Sequence, residues 1–321
     1  MMRLWERGNE RIRAFMHIPD NFLSPPVWAS LDAIAIPTIA IVSRRAQQDA
    51  EVNHFALLGV MGAFIFAAQM INFPVGFGTS GHLVGGTLLA AVFGPWAASL
   101  ILSAILIIQA LVFQDGGVLA LGPNVINMAI LGVWAGYLPV LYFRRTRWRW
   151  GGVFLGGVCS VLVSGILALT ELRISGNPIS STLLVISLGL FAINALAEGA
   201  ITVSVLKAIE KVNPEINYQP APVNRRYRAT GAIAVASLLL ATAGLVIAST
   251  LPDGIEQLAK KLQVPLHAGP LLRSPLRDYQ IQALGASWFS RVSAGLIGLL
   301  LIYLACVIGS YLLTRTRRSY S

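Results

Sequence analysis

The chain has 321 residues, 55% of them hydrophobic and only 12% charged, with a formal net charge of +10 and a mean hydropathy of +0.69. Soluble domains carry about 25% charged residues, so this composition excludes an ordinary soluble globule and indicates a polytopic membrane protein. The positive charge calls for no nucleic acid partner, because Lys and Arg collect in the cytoplasmic loops of such proteins.

Residues 1–15 are polar, carry four Arg and show no apolar core of a secretory signal. A short entry over 16–26 leads to the first apolar run, 27–43, which ends at Arg44-Arg45. The second run covers 54–73 and is followed by a turn over 74–81. His82 opens a third run that reaches Phe113 and is broken at Gly94-Pro95. The loop 114–123 holds Asp115-Gly116-Gly117. Runs at 124–143, 151–170 and 180–206 follow, the first of them closed by the basic stretch 144–149. Residues 207–228 are polar, basic and Pro-containing, and read as a linker. The last two runs, 230–250 and 290–313, flank a polar loop over 251–288.

Charge bias decides how the third run crosses the membrane. With Gly94-Pro95 as a turn, it crosses twice, at 83–93 and 95–113. The loops at 44–45, 144–149, 207–228 and 315–318 then share one side, with 14 Lys or Arg. The opposite loops hold six, residues 1–15 left aside. The basic side is cytoplasmic by the positive-inside tendency. Residues 83–93 cover only about 17 Å at 1.5 Å per residue, so they need cover from neighbouring helices. The predicted fold is all-α: a seven-helix module, then a two-helix module with an extracytoplasmic loop and a cytoplasmic C-terminus. Cys159 and Cys306 each lie alone in an apolar run and read as plain buried thiols.

His17 and His82 both fall on the predicted outer face, each at a helix edge beside a turn. For either alone, a hydrogen-bonded interfacial histidine is the plain alternative. The Met16-His17 pair adds a second consideration. With Met16 as N-terminus, its amine, the His17 backbone nitrogen and the His17 imidazole close a five-membered and then a six-membered chelate ring. His82 completes a planar all-nitrogen set, which favours Ni(II) or Cu(II) over tetrahedral Zn(II). Such a site deprotonates an amide and weakens at low pH.

Gln69, Asn72, Ser80, Asn124 and Asn127 are polar residues in or beside apolar runs, where polar groups need partners and mark function. They are candidates to hold the second N–H of a ligating imidazole; helix-to-helix hydrogen bonds are the alternative. Gly76, Gly78 and Gly81 suit a tight loop. Asp115 reads as part of an outer turn. Asp32 and Glu198 either support the fold or meet a partner subunit, and Ala29 and Ala33 offer a small-residue helix face. His54 falls on the inner side, remote from the pair, and His267 in the outer loop of the second module.

An intramembrane hydrolase using Ser80 and His82 fares poorly, since residues two apart do not share a helix face. A secondary transporter working alone would show internal repeats and charged midplane helices, and neither is evident. There is no GxxxxGK(S/T) phosphate loop, so ATP would have to be used by partner chains.

The segments MHIPDNFLSPPVW (16–28), AAQMINFPV (67–75), GTSGHLVGG (78–86), FGPWAA (93–98), FQDGGVLALGPNVINMA (113–129) and NALAEGAIT (194–202) resemble the CbiM/NikM family. This is the substrate-specific component of energy-coupling factor importers for cobalt and nickel. The resemblance covers 16–212. It implies a non-catalytic, multi-pass subunit of the cell membrane that binds Ni2+ or Co2+ as transported substrate, without an organic cofactor. The implied ligands are the Met16 amine, the His17 backbone nitrogen and imidazole, and the His82 imidazole. The implied partners are a membrane coupling subunit of CbiQ/NikQ type, two ATPase subunits of CbiO/NikO type and the lipid bilayer, with no nucleic acid. The family begins at the Met-His pair, so residues 1–15 are expected to be a dispensable extension. The metal-binding module is expected over 16–211 and a cytoplasmic linker over 212–228. Residues 229–321, with LPDGIE (251–256) and SPLRDY (274–279), resemble a PDGLE-type, NikN-like auxiliary module fused to the first. Fusion of this kind leans towards nickel.

Overall fold

The computed structural model describes residues 17–49, 55–76, 79–212, 223–244, 248, 274–285 and 287–318. Helix α1 covers Pro25–Asp49 and α2 covers Phe55–Gln69. The strands β1 (Phe73–Gly76) and β2 (Thr79–Gly81) form an antiparallel hairpin. Helices α3 (Gly86–Phe93), α4 (Pro95–Phe113), α5 (Leu121–Phe143), α6 (Arg149–Ile174) and α7 (Ser181–Val212) complete the first module. Helix α8 runs Val223–Leu239 and continues as a π-helix over Leu240–Gly244. Helix α9 is Trp288–Arg318. Among the described residues these are nine helices, as many as the crossings expected, and six of them are long and apolar enough to span a bilayer.

Three local departures have physical reasons. The second run continues as helix only to Gln69, because Pro74 biases its predecessor Phe73 towards extended backbone and the alternation of Ile71, Phe73 and Val75 suits a strand. Pairing of Phe73 with Gly81 and Pro74 with Ser80 then brings the turn back beside the start of α3. Helix α3 has eight residues, about 12 Å of rise, and is sheltered: Gly86 to Ala90 are all buried. Gly94 ends it at φ 80° and Pro95 occupies the first turn of α4, where its missing N–H costs nothing. Helix α8 begins at Val223, inside the stretch read as linker; residues 213–222 lie outside the described residues.

Two carboxylates, one buried and one half-buried, cap helix starts from across the bundle. Glu198, on α7 and fully buried, accepts from Val84 N (2.7 Å) and Gly85 N (2.8 Å) at the entry of α3. Asp32, on α1, accepts from Gly122 N at 2.7 Å in the first turn of α5. Both satisfy N–H groups that a helix cannot pair internally and complement the helix dipole. The choice between fold support and partner contact therefore resolves towards support of the fold.

One continuous apolar core joins the two modules: Met61, Phe66, Leu102 and Ile105 of the first share it with Ile233, Ala241, Leu299, Ile302 and Cys306 of the second. Helices α8 and α9 both pack on α2. A smaller cluster, with Ile18, Phe22, Leu23, Ala168, Leu172 and Phe191, anchors the segment before α1. Ala29 and Ala33 are exposed on α1, as are Ile34, Ile36 and Ile41. At the Arg-rich end, Arg149 pairs with Glu210 and lies 4.4 Å over the Trp150 ring.

Candidate metal site

The site is made of three non-helical segments: 17–20 before α1, 79–85 between the hairpin and α3, and 114–120 between α4 and α5. Each is pinned by its neighbours. Ile18 N donates to Asn124 Oδ1 at 2.8 Å, and Asn124 Nδ2 donates back to Ile18 O at 3.0 Å. Gly117 N also donates to Ile18 O (3.0 Å), and Leu119 N donates to Asp20 Oδ1 (2.8 Å). The fit leaves no room at Gly117, where a Cβ would lie 2.5 Å from Asp20 N. Gly116 stands at φ 97° and would set a Cβ 2.9 Å from the Cβ of His17, so both glycines of Asp-Gly-Gly are needed for this approach.

This packing brings His17 and His82 together. Their ring centroids are 5.9 Å apart with the planes at 46°, and both residues are buried. With metal–nitrogen bonds of about 2.0–2.1 Å, two imidazoles sharing one ion have centroids within roughly 6–6.5 Å; the pair falls inside that reach. His17 Nδ1 is 3.2 Å from Asp115 Oδ1, and its Nε2 is buried without a hydrogen-bond partner. His82 Nδ1 donates to Leu83 O at 2.9 Å, which fixes a tautomer with the lone pair on Nε2.

The electrostatics favour a neutral His82 ring and a charged carboxylate. Burial, reinforced by the neighbouring His17, pushes His82 from its ordinary 6.5 down to about 4. Burial pulls Asp115 upward, but the charge and hydrogen bond of His17 and the bond from Tyr279 outweigh it and hold the carboxyl below its usual range. Burial and the adjacent Asp115 push the Tyr279 phenol well above its ordinary value, so it stays a donor.

The five polar candidates divide. Asn124 holds the backbone next to His17 rather than an imidazole. Gln69 Nε2 donates to Val84 O (2.9 Å) and its Oε1 accepts from Gln109 Nε2 (2.9 Å). Asn127 Nδ2 donates to Glu171 Oε2 at 2.9 Å. Ser80 is buried in β2, whereas Asn72 is half-buried at the corner between α2 and β1. The partner of the His17 ring is Asp115, which in sequence reads as part of an outer turn with no further role assigned. Gln109 carries no signal in sequence, and Tyr279 enters there only as the last residue of SPLRDY. Gln109 lies in the π-helical turn that ends α4, and Asn124 adjoins another over Val125–Gly132; such turns gather at functional sites. Met16, His54, Gly78, His267 and Pro252-Asp253-Gly254 lie outside the described residues.

A lipid-facing helical bundle with buried polar segments converging at one end defines a multi-pass membrane transport protein. The chain belongs to the CbiM family: the model described as the cobalt uptake substrate-specific transmembrane region matches residues 17–216. A probable fused nickel transport protein, LarMN, of Lactiplantibacillus plantarum is 32% identical over 319 residues, covering 89% of this chain and 96% of its own. The cobalt transport protein CbiM of Acetoanaerobium sticklandii is 32% identical over 211 residues, covering 62% of this chain and 86% of its own. A crystal structure of a transition metal transporter superposes with a TM-score of 0.55 at 30% identity, covering 62% of this chain and 95% of that one. The match to a fused relative extends along both modules, and proteins of this family transport rather than catalyse.

Proposed function

We propose that this chain is the substrate-binding subunit of an ATP-driven importer of Ni2+ or Co2+, and that it captures the ion at the outer face of the cell membrane. The observation that carries the reading is the convergence of His17 and His82 at 5.9 Å in a buried setting. Two imidazoles alone make a weak site, and among the described residues no group of three His, Cys, Asp or Glu side chains is placed to hold a metal ion. In this reading the Met16 amine and the His17 backbone nitrogen supply the remaining donors, with Met16 as the functional N-terminus and residues 1–15 dispensable. The six-membered ring closes at His17 Nδ1, the nitrogen that faces Asp115. The ion takes the place of the proton between them, and the Asp115 carboxylate remains beside it as compensating charge.

The names of the fused relatives support nickel, and the shorter CbiM relatives support cobalt. Residues 16–211 form the metal-binding module, 212–228 a cytoplasmic linker and 229–321 the auxiliary module. A coupling subunit of CbiQ/NikQ type and two ATPases of CbiO/NikO type power transport. The test is nickel titration of the chain purified from its native membrane, together with its intact mass. The expected result is a chain starting at Met16 with a free amine, tight binding, and a loss of at least 100-fold in His82→Ala and His17→Ala. Retention of residues 1–15 with tight binding would sink the amine ligand. Uptake by cells that express this chain without the other subunits would sink the ATP-driven reading.

A further inference from the structure

Asp115 is shared between the two modules. Its Oδ1 faces His17 Nδ1, and its Oδ2 accepts from the Tyr279 hydroxyl at 2.5 Å. Tyr279 belongs to the fused second module. Its ring stacks on Phe113 at 4.7 Å and 18° and lies 6.0 Å from Phe66. The segment that carries it is bound to the end of α4: Leu276 N donates to Val112 O (3.1 Å) and Ser274 Oγ donates to Leu111 O (2.8 Å). These carbonyls lie in the last turn of α4, where intrahelical donors run out. The second module therefore caps that turn.

The backbone is strained where the hydroxyl is aimed. Asp278 and Tyr279 stand at φ 64° and 54°, consecutive left-handed residues without a glycine, the bulky Tyr being the costlier. Strain of this kind persists only where the surroundings enforce it. The hydroxyl also accepts from Gln109 Nε2 at 3.3 Å. Gln109 reaches Gln69, and Gln69 reaches Val84 O, two residues beyond His82. Donor directions run consistently: Gln69 to Val84, Gln109 to Gln69 and Tyr279, Tyr279 to Asp115. One phenol thus joins the hydrogen bonds behind His17 to those behind His82.

We propose that Tyr279 is a positioning residue for the metal site: it holds the Asp115 carboxylate against His17 Nδ1, where the carboxylate orients the ring before the ion arrives and balances its charge afterwards, so the fused module sets the metal affinity of the first module. The proposal rests on the reading that His17 and His82 bind the ion. It predicts that the modules cannot be treated as a binding unit and a separate helper. Without the Tyr279 bond, the Asp115 carboxylate is free to turn away from His17. Groups held just outside a metal's ligands are typically worth 10–100-fold in affinity; Tyr279, which acts on such a group, should be worth about 3- to 10-fold.

The test is nickel binding by the full chain in detergent, by competition with a chromophoric chelator, alongside the visible ligand-field absorption of the bound ion. Tyr279→Phe keeps the stack on Phe113 and removes only the hydroxyl. It should weaken binding 3- to 10-fold and shift the absorption band in the same direction as Asp115→Asn. In an Asp115→Asn background it should have no further effect. Ser274→Ala, which loosens the same segment without touching Asp115, should stay within twofold and leave the band unmoved. Wild-type affinity in Tyr279→Phe overturns the proposal, as does an equal loss in Ser274→Ala or an undiminished loss in the Asp115→Asn background. His82→Ala separates this from the underlying reading: binding that survives that change removes the site itself, whereas lost binding there with an unaffected Tyr279→Phe removes only the role of Tyr279.

Discussion

Asn124→Ala tests whether the docked backbone at residues 17–20, and not the imidazoles alone, sets metal affinity. Asn124 touches no ring, but it makes both hydrogen bonds to Ile18, the residue next to His17. Removing its Oδ1 leaves the Ile18 N–H buried, since Ile18 is only 1% exposed; a stranded buried donor costs about 1–3 kcal/mol. Removing its Nδ2 costs less, about 0.5–1 kcal/mol, because Ile18 O keeps the bond from Gly117 N. The sum, about 1.5–4 kcal/mol, falls on docking of the segment rather than on the bundle, which retains the Ile18, Phe22 and Leu23 anchors. At about 1.4 kcal/mol per tenfold, the expected outcome is at least tenfold weaker nickel binding in a competition titration. The thermal midpoint of the metal-free chain should fall only slightly. Asn124→Asp retains an acceptor for Ile18 N and should lose less. A nickel affinity in Asn124→Ala within twofold of wild type would refute the claim that this backbone must be held for the ion to bind.

Two further changes probe the scaffold and the ring. Glu198→Gln leaves one acceptor oxygen and turns an NH2 towards the second of the two N–H groups at Val84 and Gly85. Losing a charged hydrogen bond costs about 1.5–3 kcal/mol, so thermal unfolding should begin several degrees lower; an unchanged midpoint would dismiss the cap. The second concerns pH. His82 has a folded pKa of about 4, below its ordinary 6.5, so the unfolded chain binds the proton more readily. The stability that goes with a neutral ring is complete above about pH 6.5 and is lost as pH falls towards 4. Unfolding midpoints of the metal-free chain measured from pH 7 to 4 should show this decline, and His82→Gln should flatten it; an equal slope in the variant would remove His82 as its source.

What the sequence revealed and what it hid follow from the range of the interactions. The number of helices and the turn at Gly94-Pro95 are legible because hydropathy, proline and charge bias act locally. His17 and His82 stood out because imidazoles are scarce in this chain, four in all, and both border turns. The strands at 73–76 and 79–81 were hidden in a Gly-rich stretch that reads as a turn over 74–81, because strands of four and three residues show too little alternation to stand out from a loop. Asp115 was read as a turn residue, and Gly116 and Gly117 do make a turn. Its second role comes from partners 98 residues before it and 164 after it, a separation that no local pattern encodes. Glu198 and Asp32 were ambiguous for the same reason: each caps a helix other than its own.

The same distinction explains how the site is built. The residues around the two histidines lie on irregular backbone, which leaves N–H and C=O groups free to meet a ligand, yet such backbone is unstable at bilayer depth unless every group is paired. Asn124, Asp20 and Glu198 do that pairing for segments 17–20, 114–120 and 79–85. The last turn of α4 is the remaining gap, and its carbonyls at 111 and 112 find their donors, among the described residues, in the second module at Ser274 and Leu276. Fusing the modules in one chain keeps those donors at hand, and it ties the end of α4, the Asp115 loop and His17 into a single unit. A chain cut between the modules would leave that turn unpaired beside the site. Its metal affinity should then depend on the concentration of the separated second module, whereas the fused chain's should not.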